Sequence, residues 1–267
     1  MITAVHLPNS PEAAAEHAAA GGWIYAGGTV VLPQVNNGAV AATELVSLRR
    51  ADLAGVSVQD GVVRIGAATP LSVIEADPDL AFLHPAVRSI ASPTIRNLAT
   101  VGGNLFARQP YGDFAVCLLA LDATVEIGSR DQRRTSTVAE LLASGLAPGE
   151  VLTAVLLSVP AEGTWRYHKA MRRKLNSASI VTVAAVVETD ASGVVTAARI
   201  ALGGVAPRPV RASSAEAVLV GRSLEASAVD EAGEAARADI SPFDDAYASA
   251  WYRARVLPVH LRRALLG

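Results

Sequence analysis

The chain has 267 residues, half of them apolar but only 4% aromatic, enough to build two ordinary cores chiefly from Ala, Val and Leu and too apolar for a disordered chain. A formal net charge of -2 gives no electrostatic footprint for nucleic acid. Cys117 is the sole cysteine, which excludes an internal disulfide, a four-cysteine iron–sulfur cluster and a cysteine zinc site. The five histidines, His6, His17, His84, His168 and His260, show no ligand spacing, so no metal site is expected.

In chain order, Ile2 to Leu7 reads as a strand, and Ser10-Pro11 starts an alanine-rich helix that Gly21-Gly22 stops. Trp23 to Ala26 forms a second strand ending at Gly27-Gly28. Val30 to Val35 starts a helix whose amide ends can face an anion, and Glu44 to Leu48 is a third strand. From about residue 54 the pattern changes to a hairpin over residues 56–66 with Asp60-Gly61 at its turn. Thr69-Pro70 opens a helix ending near Pro78, and a helix from His84 to Ala91 leads into Ser92-Pro93. Phe114 to Leu121 is helical, Ala123 to Ile127 extended, Arg130 to Arg134 a solvated polar turn, and Glu150 to Val159 a strand. Cys117 falls in the apolar run 114–119 and is expected to be a buried, inert thiol.

Pro160-Ala161-Glu162-Gly163 is the expected linker, with a split near residue 53 inside the first part. Beyond it, Ile180 to Thr189 and Val194 to Leu202 form a β-hairpin through Asp190 to Gly193. Helices follow at Ser213 to Val220, Val229 to Ala238 and within Tyr247 to Leu266. No secretory leader and no apolar run of membrane-spanning length is seen, so a cytoplasmic protein is expected.

Two glycine pairs carry the functional signal. Ala26-Gly27-Gly28-Thr29-Val30 and Thr100-Val101-Gly102-Gly103-Asn104 each pair glycines with a hydroxyl residue. Glycine admits close approach of the backbone to a ligand, and successive amides form an anion-binding concavity, so the two turns together suit a pyrophosphate. No G-x-x-x-x-G-K-[ST] loop, no G-x-G-x-x-G after the first strand and no G-x-S-x-G occurs. Asp113, just before an apolar helix, reads either as its N-cap or as an acceptor for a polar group of a nucleotide.

These motifs, with Ile95 to Leu105 and Asp113, resemble the FAD-binding medium subunit of the molybdenum hydroxylase family, the group of carbon monoxide dehydrogenase, xanthine dehydrogenase and aldehyde oxidoreductase flavoprotein subunits. The resemblance continues through Tyr167-His168-Lys169 with Arg172-Arg173, through Gly203 to Ala212, and through Ala248 to Arg253 with Leu261 to Leu265. It implies an α+β fold: a two-subdomain FAD-binding domain of PCMH/VAO-like type over residues 1–161, then a C-terminal antiparallel sheet with helices over 162–267. It further implies that Ala26, Gly27, Gly28, Thr29 and Val30 and Thr100, Val101, Gly102, Gly103 and Asn104 wrap the FAD pyrophosphate with backbone amides. Asp113 binds a polar part of the cofactor, Ile90 and Leu152 line the flavin or adenine, and Lys169 lies near the flavin, where its charge favours the reduced anionic form. No catalytic side chain and no metal ligand is implied.

The implied partners are a molybdopterin-binding large subunit and a small subunit with [2Fe-2S] clusters, arranged as a dimer of heterotrimers. This chain would be the electron-transfer flavoprotein, an FAD-dependent oxidoreductase subunit passing electrons from the clusters to an external acceptor. A free-standing FAD-dependent oxidoreductase of the same fold and a cofactor-free scaffold subunit are the competing readings. Phe106 to Tyr111 is short and cysteine-free, so the [4Fe-4S] loop of some relatives is expected to be absent. Leu175-Asn176-Ser177-Ala178 stands where other relatives have Gly-Asp-Tyr near the flavin ring.

Overall fold

Local chemistry sets the elements before packing does. The computed structural model describes residues 2–173 and 177–267, so Leu175 and Asn176 lie outside the described residues. The elements fall into two compact units, each interleaved in sequence. The first comprises residues up to Asp77, Pro93–Ala107 and Ala123–Ser158; the second comprises Pro78–Ser92, Arg108–Asp122 and Val159–Gly267.

The first unit begins with β1 (Ala4–His6), α1 (Pro11–Ala19), β2 (Trp23–Tyr25), α2 (Val31–Asn36) and β3 (Glu44–Ser47). Ser10 caps α1 by accepting from the Ala13 amide, with Pro11 at the first helical position. The three strands form a parallel sheet in the order β1-β3-β2. The hairpin of β4 (Val56–Gln59) and β5 (Val62–Gly66) turns on Asp60 and Gly61, with φ of 52° and 77°. Both central residues are thus left-handed, as a two-residue hairpin turn needs.

The connecting helices are short: α3 (Leu71–Ala76) in the first unit, then α4 (His84–Arg88) in the second, entered through a 3₁₀ turn at Pro78–Leu83. The helix expected to Ala91 therefore ends three residues early, at a backbone turn in which Ala91 takes φ 46°. Next come α5 (Pro93–Arg96) and α6 (Val101–Leu105) in the first unit, and α7 (Asp113–Ala120) in the second. The first unit closes with β6 (Thr124–Gly128), β7 (Arg133–Thr137), α8 (Val138–Ser144) and β8 (Val151–Ser158), making an antiparallel sheet ordered β4-β5-β8-β6-β7. The polar turn expected over residues 130–134 is corrected here, because Arg133 and Arg134 begin edge strand β7. Charged side chains are the usual protection of such an edge, and these two pair with Glu12 and Glu150. Helix α8 is held by a capping box in which Thr137 and Glu140 satisfy each other's amides. Ala14 and Ala15 of α1 pack with Val46, Leu48, Leu53 and Val151, so the core reaches from α1 to β8.

The second unit is built on β9 (Trp165–Met171), β10 (Ser179–Thr189), β11 (Val195–Gly203) and β12 (Val210–Arg211), ordered β12-β11-β10-β9 and antiparallel throughout. Helices α9 (Ser213–Leu219), α10 (Ala226–Ala235) and α11 (Ala250–Leu266) complete it. Strand β10 is buried from Ser179 to Val187. Val181, Val183, Ala185 and Val187 belong to the core shared with the three C-terminal helices, and α7 packs on the strand as well. Coverage on both faces explains why this strand reads as an unbroken apolar run. Cys117 is fully buried in α7 and its thiol pKa is pushed up by burial, with the charge of Asp113 adding to it.

The last helix is tied to the sheet by a histidine pair. His168 Nε2 and His260 Nδ1 lie 3.0 Å apart with rings stacked 19° from parallel. Burial lowers both pKa values, that of His260 from 6.5 to about 4, with His168 and then Arg263 adding to the shift. The fold thus holds His260 neutral, whereas the unfolded chain takes up its proton near pH 6.5. Stability from this site is complete above pH 6.5 and is lost as pH falls towards 4. Thermal denaturation of wild type and His260→Asn between pH 7 and 5 should show a shallower decline in the variant; parallel curves would exclude a protonation role for this pair.

Candidate FAD site

The two glycine motifs both lie in the first unit. Gly27 follows β2 and packs so tightly on the 94–99 segment that a Cβ there would overlap the Leu98 carbonyl oxygen. Gly28 has φ 71° and turns the chain into α2. Among the described residues, the amides of Gly27, Gly28, Thr29 and Val30 have no intramolecular acceptor. Four successive unclaimed N–H groups, running into the start of a helix, are the backbone requirement for binding an anion.

The second motif is built differently from the expected turn. Gly102 and Gly103 lie inside α6, capped by the Thr100 hydroxyl, which accepts from the Gly103 amide at 3.1 Å. Val101 donates to the Thr69 carbonyl, Gly102 to Ala67 and Asn104 to Thr100. The amides of residues 101–104 are therefore engaged within the protein, so the expectation that they all wrap a phosphate needs correction. Thr100 itself keeps an amide and a hydroxyl hydrogen with no acceptor among the described residues. Gly102 is needed for packing, since a Cβ would stand 2.9 Å from the Ala67 carbonyl oxygen and Cβ. Leu152 is buried in β8 opposite Ile127.

The remaining nominated residues belong to the second unit. Ile90 is buried just beyond α4. Asp113 is the first residue of α7, but Gly112 occupies the N-cap position in left-handed conformation, so Asp113 does not cap the helix. Its Oδ2 instead accepts from Lys169 Nζ at 2.9 Å and its Oδ1 from the Thr182 hydroxyl at 2.6 Å. Lys169 also donates to the Ser89 carbonyl at 2.9 Å. Lys169 is thus a buried, paired cation rather than a solvated one. Tyr167 Oη lies 2.9 Å from the Ser89 hydroxyl, and burial, then the charge of Asp113, raises its phenol pKa well above the usual value. Thr182 and Ser89 were not singled out by sequence, and Tyr167 only as part of the Tyr167-His168-Lys169 run. The signal for Thr182 is a lone polar residue inside an apolar strand, while nothing local marks Ser89.

Comparison with known proteins places this arrangement in a class of flavoproteins. Residues 2–161 match the family described as FAD binding domain in molybdopterin dehydrogenase, and residues 166–267 match the CO dehydrogenase flavoprotein C-terminal domain. The chain belongs to the molybdenum hydroxylase family as an FAD-binding medium subunit, an oxidoreductase flavoprotein. It is 32% identical to the carbon monoxide dehydrogenase medium chain of Afipia carboxidovorans, over 90% of this chain and 86% of that protein. It is 30% identical to the 6-hydroxypseudooxynicotine dehydrogenase complex subunit alpha of Paenarthrobacter nicotinovorans, over 91% of this chain and 85% of that one. Among solved structures, carbon monoxide dehydrogenase from Hydrogenophaga pseudoflava, in a form lacking the Mo-pyranopterin moiety, superposes with a TM-score of 0.93 at 28% identity, covering 99% of this chain and 96% of that one. The unclaimed amides of residues 27–30 fit the diphosphate of the cofactor this family binds. Among the described residues no cluster of His, Cys, Asp or Glu suits a metal ion, and no helix is long and apolar enough to cross a membrane.

Proposed function

We propose that this chain is the electron-transfer flavoprotein of a three-subunit molybdenum hydroxylase, with residues 1–161 as its FAD-binding domain and 162–267 as its C-terminal domain. A large subunit holding molybdopterin would oxidise the substrate, and a small subunit holding [2Fe-2S] clusters would deliver electrons here. Bound FAD supplies the redox chemistry, accepting those electrons and yielding them to an external acceptor. The chain's own task is to bind and orient. Gly27 to Val30 hold the diphosphate through their amides, and Thr100 and Asn104 supply further polar contacts. Ile90, Asp113, Leu152 and Lys169 make the contacts that family resemblance assigns to them, and no side chain acts as a general acid or base.

The carrying observation is the run of four unclaimed amides at 27–30, held by backbone packing of Gly27 against Leu98 and Ala99, just before the second motif. The sole cysteine, buried in α7, supports placing the iron–sulfur clusters on another chain. A cytoplasmic dimer of heterotrimers is the assembly that the resemblance favours. Coexpressed with its neighbouring subunits, the tagged chain should purify yellow and bring down a molybdopterin protein and a cysteine-rich protein in equal amounts. Colourless protein that FAD cannot reconstitute would defeat the flavin reading. A yellow chain that turns over substrate with no partner would defeat the subunit reading alone.

A further inference from the structure

The second unit places aromatic side chains where burial would be expected to claim them but does not. Only 4% of the chain is aromatic, yet Phe243, Tyr247, Trp251 and Tyr252 all fall at the entry to α11. Trp251 is 68% exposed and Tyr252 42%, an unfavourable way to present large apolar rings to water unless something covers them. Tyr111, itself 52% exposed, comes edge-on to Tyr247, with ring centroids 6.2 Å and hydroxyl oxygens 3.1 Å apart. Val259, two helical turns beyond Trp251 and Tyr252, is 48% exposed and extends the patch along α11.

Hydrogen bonds fix this patch in place. Asp245 Oδ1 accepts from the Tyr247 and Ala248 amides at 2.8 and 2.9 Å, Asp244 Oδ1 accepts from the Ala250 amide at 2.6 Å, and Ser249 caps α11 by accepting from the Tyr252 amide. Arg172 Nη1 donates to the Ala246 carbonyl at 3.0 Å, and buried Arg253 holds Oδ2 of Asp245. A surface that needs no ordering on contact binds at low entropic cost, and exposed Trp, Tyr and Arg are the side chains that dominate protein interfaces. Charge then selects the partner. Residues 250–267 contain four arginines and no acid. Arg253 and Arg262 are paired to Asp245 and Asp230, whereas exposed Arg255 and Arg263 have no ion pair among the described residues. Arg255 lies over the Trp251 ring, 5.7 Å from its centroid, so charge and apolar surface stand side by side. A few cations set among rings, on a chain of net charge -2, suit carboxylates rather than a polyanion. We propose, on the subunit reading given above, that this face of α11 docks a partner subunit of the complex, whose own surface is an apolar pocket for Trp251 rimmed by carboxylates for Arg255.

The experiment is a pull-down of the tagged chain coexpressed with its neighbouring subunits, followed by titration of purified flavoprotein with those subunits, with FAD content and melting temperature measured alongside. Trp251→Ala and Arg255→Glu should both keep FAD and the wild-type melting temperature. Trp251→Ala should weaken association about thirtyfold, the loss typical of a central aromatic anchor. Arg255→Glu should weaken it more at low salt than at high salt, because the reversed charge is screened as salt rises. Should Trp251→Ala not fold, Arg255→Glu replaces a side chain already in water and reads the same face. Wild-type affinity in a folded variant would overturn the proposal. A free chain that dimerises, with Trp251→Ala breaking the dimer but not the complex, would assign the face to a second copy and overturn it too. Binding of the free chain to phosphatidylserine vesicles, lost in Trp251→Ala while the subunits stay bound, would overturn it in favour of a lipid surface. Wild-type chain that recovers neither subunit would overturn the subunit reading, and the docking face with it, before any variant is made.

Discussion

Gly27→Ala should give protein that no longer retains FAD. A Cβ at this position would overlap the Leu98 carbonyl oxygen and stand 2.5 Å from its carbon and 3.1 Å from the Ala99 nitrogen. All three obstacles are backbone, so no side-chain rotation relieves them and the turn itself must move. Overpacking of this kind costs about 1–3 kcal/mol, and the displaced segment is the one that carries the unclaimed amides of residues 27–30. FAD affinity should fall by about a hundredfold or more, equal to about 2.7 kcal/mol, as read by absorbance of the purified protein and by titration with free FAD. Gly21→Ala is the control. Gly21 has φ 99° with nothing within 4 Å of an added Cβ, so that substitution costs backbone strain of about 1–2 kcal/mol and leaves the turn in place. Equal FAD affinity in Gly27→Ala and wild type would show that close approach to Leu98 does not shape the site.

Arg253→Met should cost most in stability. The Arg253 side chain is wholly buried; Nη1 donates to the carbonyls of Ser179, Ile180 and Gly204 at 3.1, 2.7 and 2.7 Å, and Nη2 donates to Asp245 at 2.7 Å. Methionine fills much of the volume but leaves three buried acceptors and one carboxylate without their donor. Breaking a buried pair in this way costs about 3–5 kcal/mol, which in a chain of this size lowers Tm by roughly 10 °C. Arg253→Lys should recover little, since a single ammonium lacks the planar fork that serves the carbonyls and Asp245 together. Differential scanning calorimetry decides the matter, and a loss of under about 1 kcal/mol would mean that water satisfies these carbonyls in the variant.

Much of the fold was legible because local signals agreed with tertiary packing. Ser10-Pro11, Asp60-Gly61 and the long apolar strands at 180–189 and 195–203 each specify their element without help from distant residues. Where packing decides, reading failed. Arg133 and Arg134 look like a solvated turn because nothing local shows that β6 lies beside them. The helix after His84 stops short because the chain turns at Ala91, a residue type that does not advertise left-handed backbone. At the site, glycine pairs flag close backbone approach, and both motifs were found on that ground. Which amides remain available was not readable, since the acceptors for Val101 and Gly102 are Thr69 and Ala67, more than thirty residues away. Asp113 illustrates the same limit: its neighbours in sequence offer a helix to cap, whereas its partners, Lys169 and Thr182, lie 56 and 69 residues downstream.

Helix α7 lies within the stretch matched by the FAD-binding family, yet it belongs to the compact unit of the C-terminal sheet. Phe114, Val116 and Leu118, all fully buried, lie on this helix, which packs on β10 and β11. The two matched halves are therefore not interchangeable parts. A gene cut at the linker and joined to another C-terminal half would put a foreign sheet under α7, and every position of that contact would have to be remade at once. Exchange of loops or outer surfaces leaves that contact intact, whereas exchange of halves does not.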